Sequence, residues 1–123
     1  MPRVVDFELS AVDPDRTAFF YGKVFGWTFE KWGGGPMDYW RIKTGEDRQP
    51  GINGGLGRRQ EGVSANTVNT VEVPSVDEYS AKVGQNGGRV IMPKMAIPGV
   101  GFYVLCQDTE GINFGIIQFD ERV

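Results

Sequence analysis

The sequence has 123 residues, of which 40% are hydrophobic and 24% are charged, so it has the size and composition of one globular domain. Its net charge of −3 argues against a nucleic-acid partner, because nucleic-acid binding needs a basic face. It has no histidine and one cysteine, which excludes a Ser-His-Asp triad, a histidine-ligated metal site, an internal disulfide and a cysteine zinc cluster. No apolar run approaches a membrane helix in length and the amino terminus lacks a signal-peptide core, so we predict a cytoplasmic protein with no membrane partner.

The first half of the chain predicts a β-α-β-β-β unit. Residues 3–11 alternate between apolar and polar side chains, which is typical of a strand with one polar face. Asp13 and Pro14 suit the N-cap and the first position of a helix, and Gly26 suits its end. A turn is predicted at 33–36 and a loop at 44–50, and the three remaining strands are predicted at 27–32, 38–43 and 51–56.

The second half repeats this order after a linker at about 58–66. Ser75 and Glu78 form a capping box, which predicts the start of the second helix. The strands on either side of that helix are predicted at 67–73, 89–92, 101–107 and 112–119, with a loop at 93–98. The repeat predicts an α+β fold of two β-α-β-β-β modules in a single domain, 1–123, with module one at about 1–57 and module two at about 67–123.

Several short motifs follow one another in a specific order along the two modules. Module one carries Phe7-Glu8-Leu9, Asp13-Pro14, Phe20-Tyr21 and Val24-Phe25-Gly26-Trp27, and module two carries Ile97-Pro98-Gly99-Val100-Gly101 and Asp108-Thr109-Glu110-Gly111-Ile112-Asn113-Phe114. Their order resembles the vicinal oxygen chelate superfamily, which includes glyoxalase I, bleomycin-resistance proteins and extradiol dioxygenases. The resemblance implies a curled sheet whose two modules face each other around a ligand cleft, and it implies a homodimer.

The resemblance also implies where a metal would bind, on the first and last strands of each module. The matching positions are Asp6, Asn53, Val68 and Gly115, and the last two have no side-chain donor. A catalytic metal site normally needs three or more convergent ligands, so we predict no metal and no cofactor. A shift of one or two residues in the match would bring Glu8 or Glu72 into the set, and that alternative stays open.

The function predicted first is metal-independent binding of an unidentified small molecule in the cleft. Aromatic side chains that could line it are Trp27, Trp32, Tyr39, Trp40, Phe102 and Tyr103. The predicted ligand-binding residues are Trp40, Asn53, Thr70, Tyr103 and Arg41.

Two other functions stay open. One is a lyase, isomerase or dioxygenase-like enzyme on the same fold, with Asp6, Glu8 and Glu72 as candidate acid–base residues, because carboxylates on a sheet face above an apolar cavity can have raised pKa values. These carboxylates could equally be solvated or paired with Arg41, Lys43 or Arg89. The other function is a non-catalytic protein-interaction module.

Overall fold

A computed structural model describes residues 1–33, 38–59 and 67–123 of the chain. Its elements, in order, are β1 (Arg3–Ala11), α1 (Pro14–Phe25), β2 (Thr28–Trp32), β3 (Tyr39–Lys43), β4 (Asn53–Arg58), β5 (Val68–Glu72), α2 (Val76–Gln85), β6 (Arg89–Ile97), β7 (Gly101–Gln107) and β8 (Asn113–Phe119). The predicted α+β class and the repeated β-α-β-β-β order are therefore confirmed. The turn predicted at 33–36 and the linker predicted at 58–66 fall mostly outside the described residues.

The chain divides into two compact units, Asp6–Thr67 and Val68–Val123 together with Met1–Val5. The first unit corresponds to module one and the second to module two, except that the first residues of β1 are grouped with the second unit. Neither contains a described helix that is long and apolar enough to span a membrane.

Module one contains four strands in the order β2-β3-β4-β1. β1 is parallel to β4, and the other neighbours are antiparallel. The helix α1 begins where a carboxylate oxygen of Asp13 accepts a hydrogen bond from the Arg16 amide at 3.2 Å, and it ends at Gly26, whose φ of 75° is left-handed. Ile42 and Leu56 are buried, and the Tyr21 ring stacks on Trp27 with centroids 5.1 Å apart. These contacts place the apolar core on one side of the strands and leave the other side for polar groups.

Module two contains its four strands in the order β5-β8-β7-β6. Ser75 caps α2 by accepting a hydrogen bond from the Glu78 amide at 3.1 Å, as the capping box predicts. The core consists of Val73, Val76, Val104, Cys106 and Ile116. Cys106 is buried and packs as a small apolar side chain, and this burial raises the pKa of its thiol.

The sixth strand is longer than predicted. The predicted end at Met92 and the predicted loop at 93–98 are wrong, because β6 continues through Pro93 to Ile97. Its register against β7 shifts between Val90 and Met92 and again between Met92 and Met95. β6 is last in the strand order of module two, and an edge strand with bulges can accommodate a proline that has no N–H to donate.

Candidate functional site

The candidate site lies on one face of the module-one strands. Glu8 of β1 is opposite Gly55 of β4, and Gly55 is opposite Arg41 of β3. Asp6 is opposite Asn53 in the same register. Residues that are directly opposite on neighbouring strands point to the same side of a sheet, and so do alternate residues of one strand. The polar face is therefore defined by Asp6, Glu8, Tyr39, Arg41 and Asn53.

Arg41 links the two carboxylates of this face. Its Nη1 and Nη2 donate to the two Asp6 carboxylate oxygens at 3.1 and 3.2 Å, which is a bidentate ion pair. Nη1 also donates to the Tyr39 hydroxyl at 2.9 Å and lies 4.0 Å from Glu8 Oε1. The Asp6 side chain is only 18% exposed, whereas that of Arg41 is 44% exposed. The guanidinium therefore covers Asp6 and keeps an open side.

Tyr39 connects Arg41 to Glu8. Its hydroxyl accepts from Arg41 and donates to the Glu8 carboxylate, with oxygen–oxygen distances of 2.9 and 3.1 Å. This approach depends on Gly55, because a Cβ at that position would overlap the Tyr39 hydroxyl and a Glu8 oxygen. The glycine thus leaves the space in which the tyrosine and the glutamate meet.

The electrostatics of the face favour a protonated Glu8. Burial, followed by the negative charge of Asp6, raises the pKa of Glu8 to about 7 against an ordinary value of 4.5, although Tyr39 and Arg41 oppose the shift. Burial and the Glu8 charge raise the pKa of Tyr39, so its hydroxyl keeps its proton. Burial alone would lower the pKa of Arg41, but its bonds to Asp6 and Tyr39 outweigh burial and raise it. Near neutral pH the face thus holds the Arg41–Asp6 ion pair and, in Glu8, a carboxyl group that can gain or lose a proton.

A cavity of about 180 Å³ opens beside Arg41 on this side of the strands. It is bounded by Thr28 and Glu30 of β2 and by residues of β3 and β4, namely Arg41, Ile42, Lys43 and Asn53. Thr28 is opposite Lys43, and Glu30 is opposite Arg41, so with Asn53 of β4 the polar side chains converge on it from three strands. The open side of Arg41 therefore borders a space that a small molecule can enter.

The residues at the positions matched to family metal ligands do not fit a metal ion. Both oxygens of Asp6 bind Arg41, and Asn53 Oδ1 accepts from the Thr44 amide at 3.0 Å. Val68 and Gly115 have no side-chain donor. Among the described residues, no group of three or more Cys, Asp or Glu side chains is arranged to hold a metal. No chemistry is therefore assigned to a metal at these positions.

Of the predicted ligand-binding residues, Arg41 and Asn53 come together in module one. Trp40 does not join them, because it lies between Tyr39 and Arg41 on β3 and points to the opposite side, where Lys31 lies 5.6 Å from its ring centre. Asp6 and Glu8, predicted as acid–base candidates, lie in direct reach of Arg41 and Tyr39.

The remaining predicted residues belong to module two, where Thr70 is opposite Gly115 and Glu72 is opposite Ile117. Tyr103 is also opposite Ile117, so Thr70, Glu72 and Tyr103 point to the same side of their strands. Thr70 is buried, and within the described part of the chain its hydroxyl has no hydrogen-bond partner.

The register also corrects the predicted correspondence between the modules. Asn53 and Gly115 are the positions predicted on the last strands of the two modules, but Gly115 is opposite Thr70 of β5, as Gly55 is opposite Glu8 of β1. A Cβ at Gly115 would overlap the Tyr103 hydroxyl, just as one at Gly55 would overlap Tyr39. The true counterpart of Gly115 is therefore Gly55, and the predicted match was displaced by two residues.

Two residues of this site are not evident from the sequence. In the sequence, Tyr39 is one of six aromatic residues that could line a pocket, and Gly55 is one of several glycines between 51 and 57. The alternation of side chains along the predicted strand indicates that Tyr39 shares a face with Arg41 and Lys43, and this is the one sequence feature that could have identified Tyr39 as a site residue. The contact of Tyr39 with Glu8 spans 31 residues of chain, and no local pattern indicates it.

The sequence matches no protein-family model and no curated protein. Solved structures are similar in fold. A methylmalonyl-CoA epimerase in complex with methylmalonyl-CoA and ammonium has a TM-score of 0.67 and 14% identity, over 97% of this chain and 95% of that chain. A hypothetical protein from Bacillus halodurans C-125 has a TM-score of 0.70 and 12% identity, over 98% and 96%. A glyoxalase/bleomycin resistance protein/dioxygenase superfamily member from Vibrio splendidus 12B01 has a TM-score of 0.64 and 16% identity, over 98% and 100%. The chain therefore has the vicinal oxygen chelate fold.

Proposed function

We propose that this protein binds a small organic molecule on the polar face of module one, without a metal ion. The observation that carries the proposal is the bidentate bond between Arg41 and Asp6 beside the cavity. A guanidinium held in this way is fixed in position, and its remaining N–H groups can bind a ligand oxygen. The similar epimerase was solved with methylmalonyl-CoA bound, which supports small-molecule binding as a use of this fold.

Native mass spectrometry tests this proposal on protein purified without added metal or chelator. We expect an organic species bound to the wild-type protein and a much smaller bound fraction in Arg41→Met, which removes the charge but keeps an unbranched side chain. Lys31→Met is the matched control, because Lys31 is a neighbouring cation whose side chain is 62% exposed and lies on the opposite side of the strands. A stoichiometric divalent metal, lost together with the organic species on chelation, would overturn the proposal.

A second candidate function is an isomerase that moves a proton at a carbon next to a carbonyl group. It is favoured by Glu8, whose raised pKa of about 7 suits a group that must both accept and return a proton. In this reaction the ionised Glu8 would take the proton from carbon, and Tyr39, hydrogen-bonded to both Glu8 oxygens, would keep the carboxylate in place.

Hydrogen exchange tests the isomerase directly. Methylmalonyl-CoA incubated with the protein in D₂O would exchange its acidic C–H, and nuclear magnetic resonance would measure the rate. We expect Glu8→Gln to lower that rate about 100-fold or more. Ser10→Ala changes a residue on the same side of β1 and serves as the control. Exchange that persists in Glu8→Gln would rule out Glu8 as the base.

The homodimer, the cytoplasmic location and the lack of a nucleic-acid partner stay predictions from the sequence. The same native mass spectra would report the oligomeric state.

A further inference from the structure

We propose that the module-one cavity is a subsite for a small carboxylate whose neighbouring carbon carries a hydrogen-bond donor, either a hydroxyl or an ammonium group. This inference rests on the proposed function, because it names the class of molecule that the polar face would take. It is carried by the polar groups that border the cavity and by those of their donors and acceptors that have no hydrogen-bond partner among the described residues.

Three side chains bring hydrogen-bond donors to the cavity. Arg41 uses three of its five N–H groups on Asp6 and Tyr39, so two remain. Asn53 turns its carbonyl oxygen to Thr44, which leaves its amide N–H groups without a partner among the described residues. Within the described ranges, Lys43 has only a 3.8 Å ion pair with Asp47, whose side chain is 87% exposed, and such a pair is weak. Convergent donors that include two cations are the arrangement that binds a carboxylate.

One side chain offers the opposite chemistry. Glu30 borders the same cavity and has no ion pair or hydrogen bond within the described residues. It is directly opposite Arg41, so its carboxylate lies on the β2 side of the space while the donors lie on β3 and β4. A ligand that carried only a carboxylate would leave Glu30 unpaired beside a second negative charge. A donor on the next carbon of the ligand would satisfy it.

The size of the cavity limits the ligand. Its volume of about 180 Å³ corresponds to roughly six water molecules at their share of liquid volume. A three-carbon hydroxy acid or amino acid has about that many non-hydrogen atoms, whereas a larger ligand would have to extend out of the cavity over the polar face. The cavity therefore fits the carboxylate end of a ligand or a small acid by itself.

Nuclear magnetic resonance titration of the full chain tests the proposal with three probes: lactate, alanine and propionate. The signals followed are the side-chain N–H groups of Arg41 and Asn53. We expect lactate or alanine to shift both signals and to bind at least about fivefold more tightly than propionate, which lacks the donor. The better of the two probes would distinguish a hydroxyl from an ammonium ligand.

Two variants locate the binding. Lys43→Met should weaken the better probe about tenfold, as expected for the loss of a charged hydrogen bond. Glu30→Gln should remove the advantage of that probe over propionate. Lys31→Met, a cation on the other side of the same strand pair, should change neither. The backbone spectrum of each variant shows whether it has folded.

Equal binding of propionate and the other two probes would overturn the proposal, and so would a complete absence of shifts at Arg41 and Asn53. These outcomes differ from a failure of the proposed function. If the native mass spectra still show an organic species that is lost in Arg41→Met, the polar face binds a ligand of another class. If that species is absent as well, the proposed function fails.

Discussion

Glu8 gives a prediction about stability that requires no ligand. Replacement of Glu8 by Gln keeps an oxygen that can accept a hydrogen bond from Tyr39 but removes the ionisable group. We expect the variant to be more stable than the wild-type protein above neutral pH and to lose most of the pH dependence between the two pKa values of Glu8.

The magnitude follows from the pKa of Glu8, which is about 7 in the folded protein against an ordinary value of 4.5. Below pH 4.5 Glu8 is protonated in both the folded and the unfolded state and contributes no difference. Between these values the folded state keeps a proton that the unfolded state has lost, so the free energy of unfolding falls by about 1.4 kcal/mol per pH unit. Above pH 7 the loss is complete and amounts to up to about 3 kcal/mol.

Urea unfolding at a series of pH values from about 5 to 8.5 measures this difference for the wild-type protein and for Glu8→Gln. The variant should be the more stable protein at the alkaline end by about 2–3 kcal/mol, and the two should converge towards pH 5. Glu46→Gln, at an exposed loop carboxylate, is the control and should follow the wild-type curve. Parallel curves for the wild-type protein and Glu8→Gln would refute the reasoning.

Three further substitutions test the packing and the caps. Gly55→Ala should destabilise the protein by about 1–3 kcal/mol, because its Cβ would overlap the Tyr39 hydroxyl. Gly57→Ala is the control and should cost much less, because its Cβ would come no closer than 3.9 Å to Tyr39. Thermal unfolding of the two variants measures the difference. Thr70→Val replaces a buried hydroxyl that has no partner among the described residues with a methyl group of similar shape. The free energy of unfolding measured in urea should therefore stay unchanged or rise, and a fall of more than about 1 kcal/mol would contradict this. Asp13→Ala removes the acceptor for the Arg16 amide and should cost about 1 kcal/mol in the same assay. Asp15→Asn removes only a charge in the first turn of the same helix and should cost less, about 0.3 kcal/mol.

Local patterns determined much of the fold from the sequence. Alternation placed Asp6 and Glu8 on one side of β1, and the helix starts at Asp13 and Ser75 followed from side chains that cap exposed amides. These features depend on residues within a few positions of each other, so the sequence displays them directly. The order of these elements, taken twice, was sufficient to predict the α+β fold.

Local patterns also misled where tertiary context prevailed. Pro93 indicated the end of a strand, yet β6 passes through it because that strand lies at an edge and contains bulges. The counterpart of Gly115 was displaced by two residues because spacing along the chain does not reveal the register between β5 and β8.

Residue types in the sequence determined which chemistry is available: there is no histidine, and carboxylates alternate along β1. Only the tertiary structure decided how these groups act, because Arg41 reaches Asp6 across 35 residues and Tyr39 reaches Glu8 across 31. Both contacts depend on strand register, and the contact of Tyr39 with Glu8 depends also on the space left by Gly55. The pKa of Glu8 depends in turn on burial and on the neighbouring Asp6 charge, which exist only after the strands have paired.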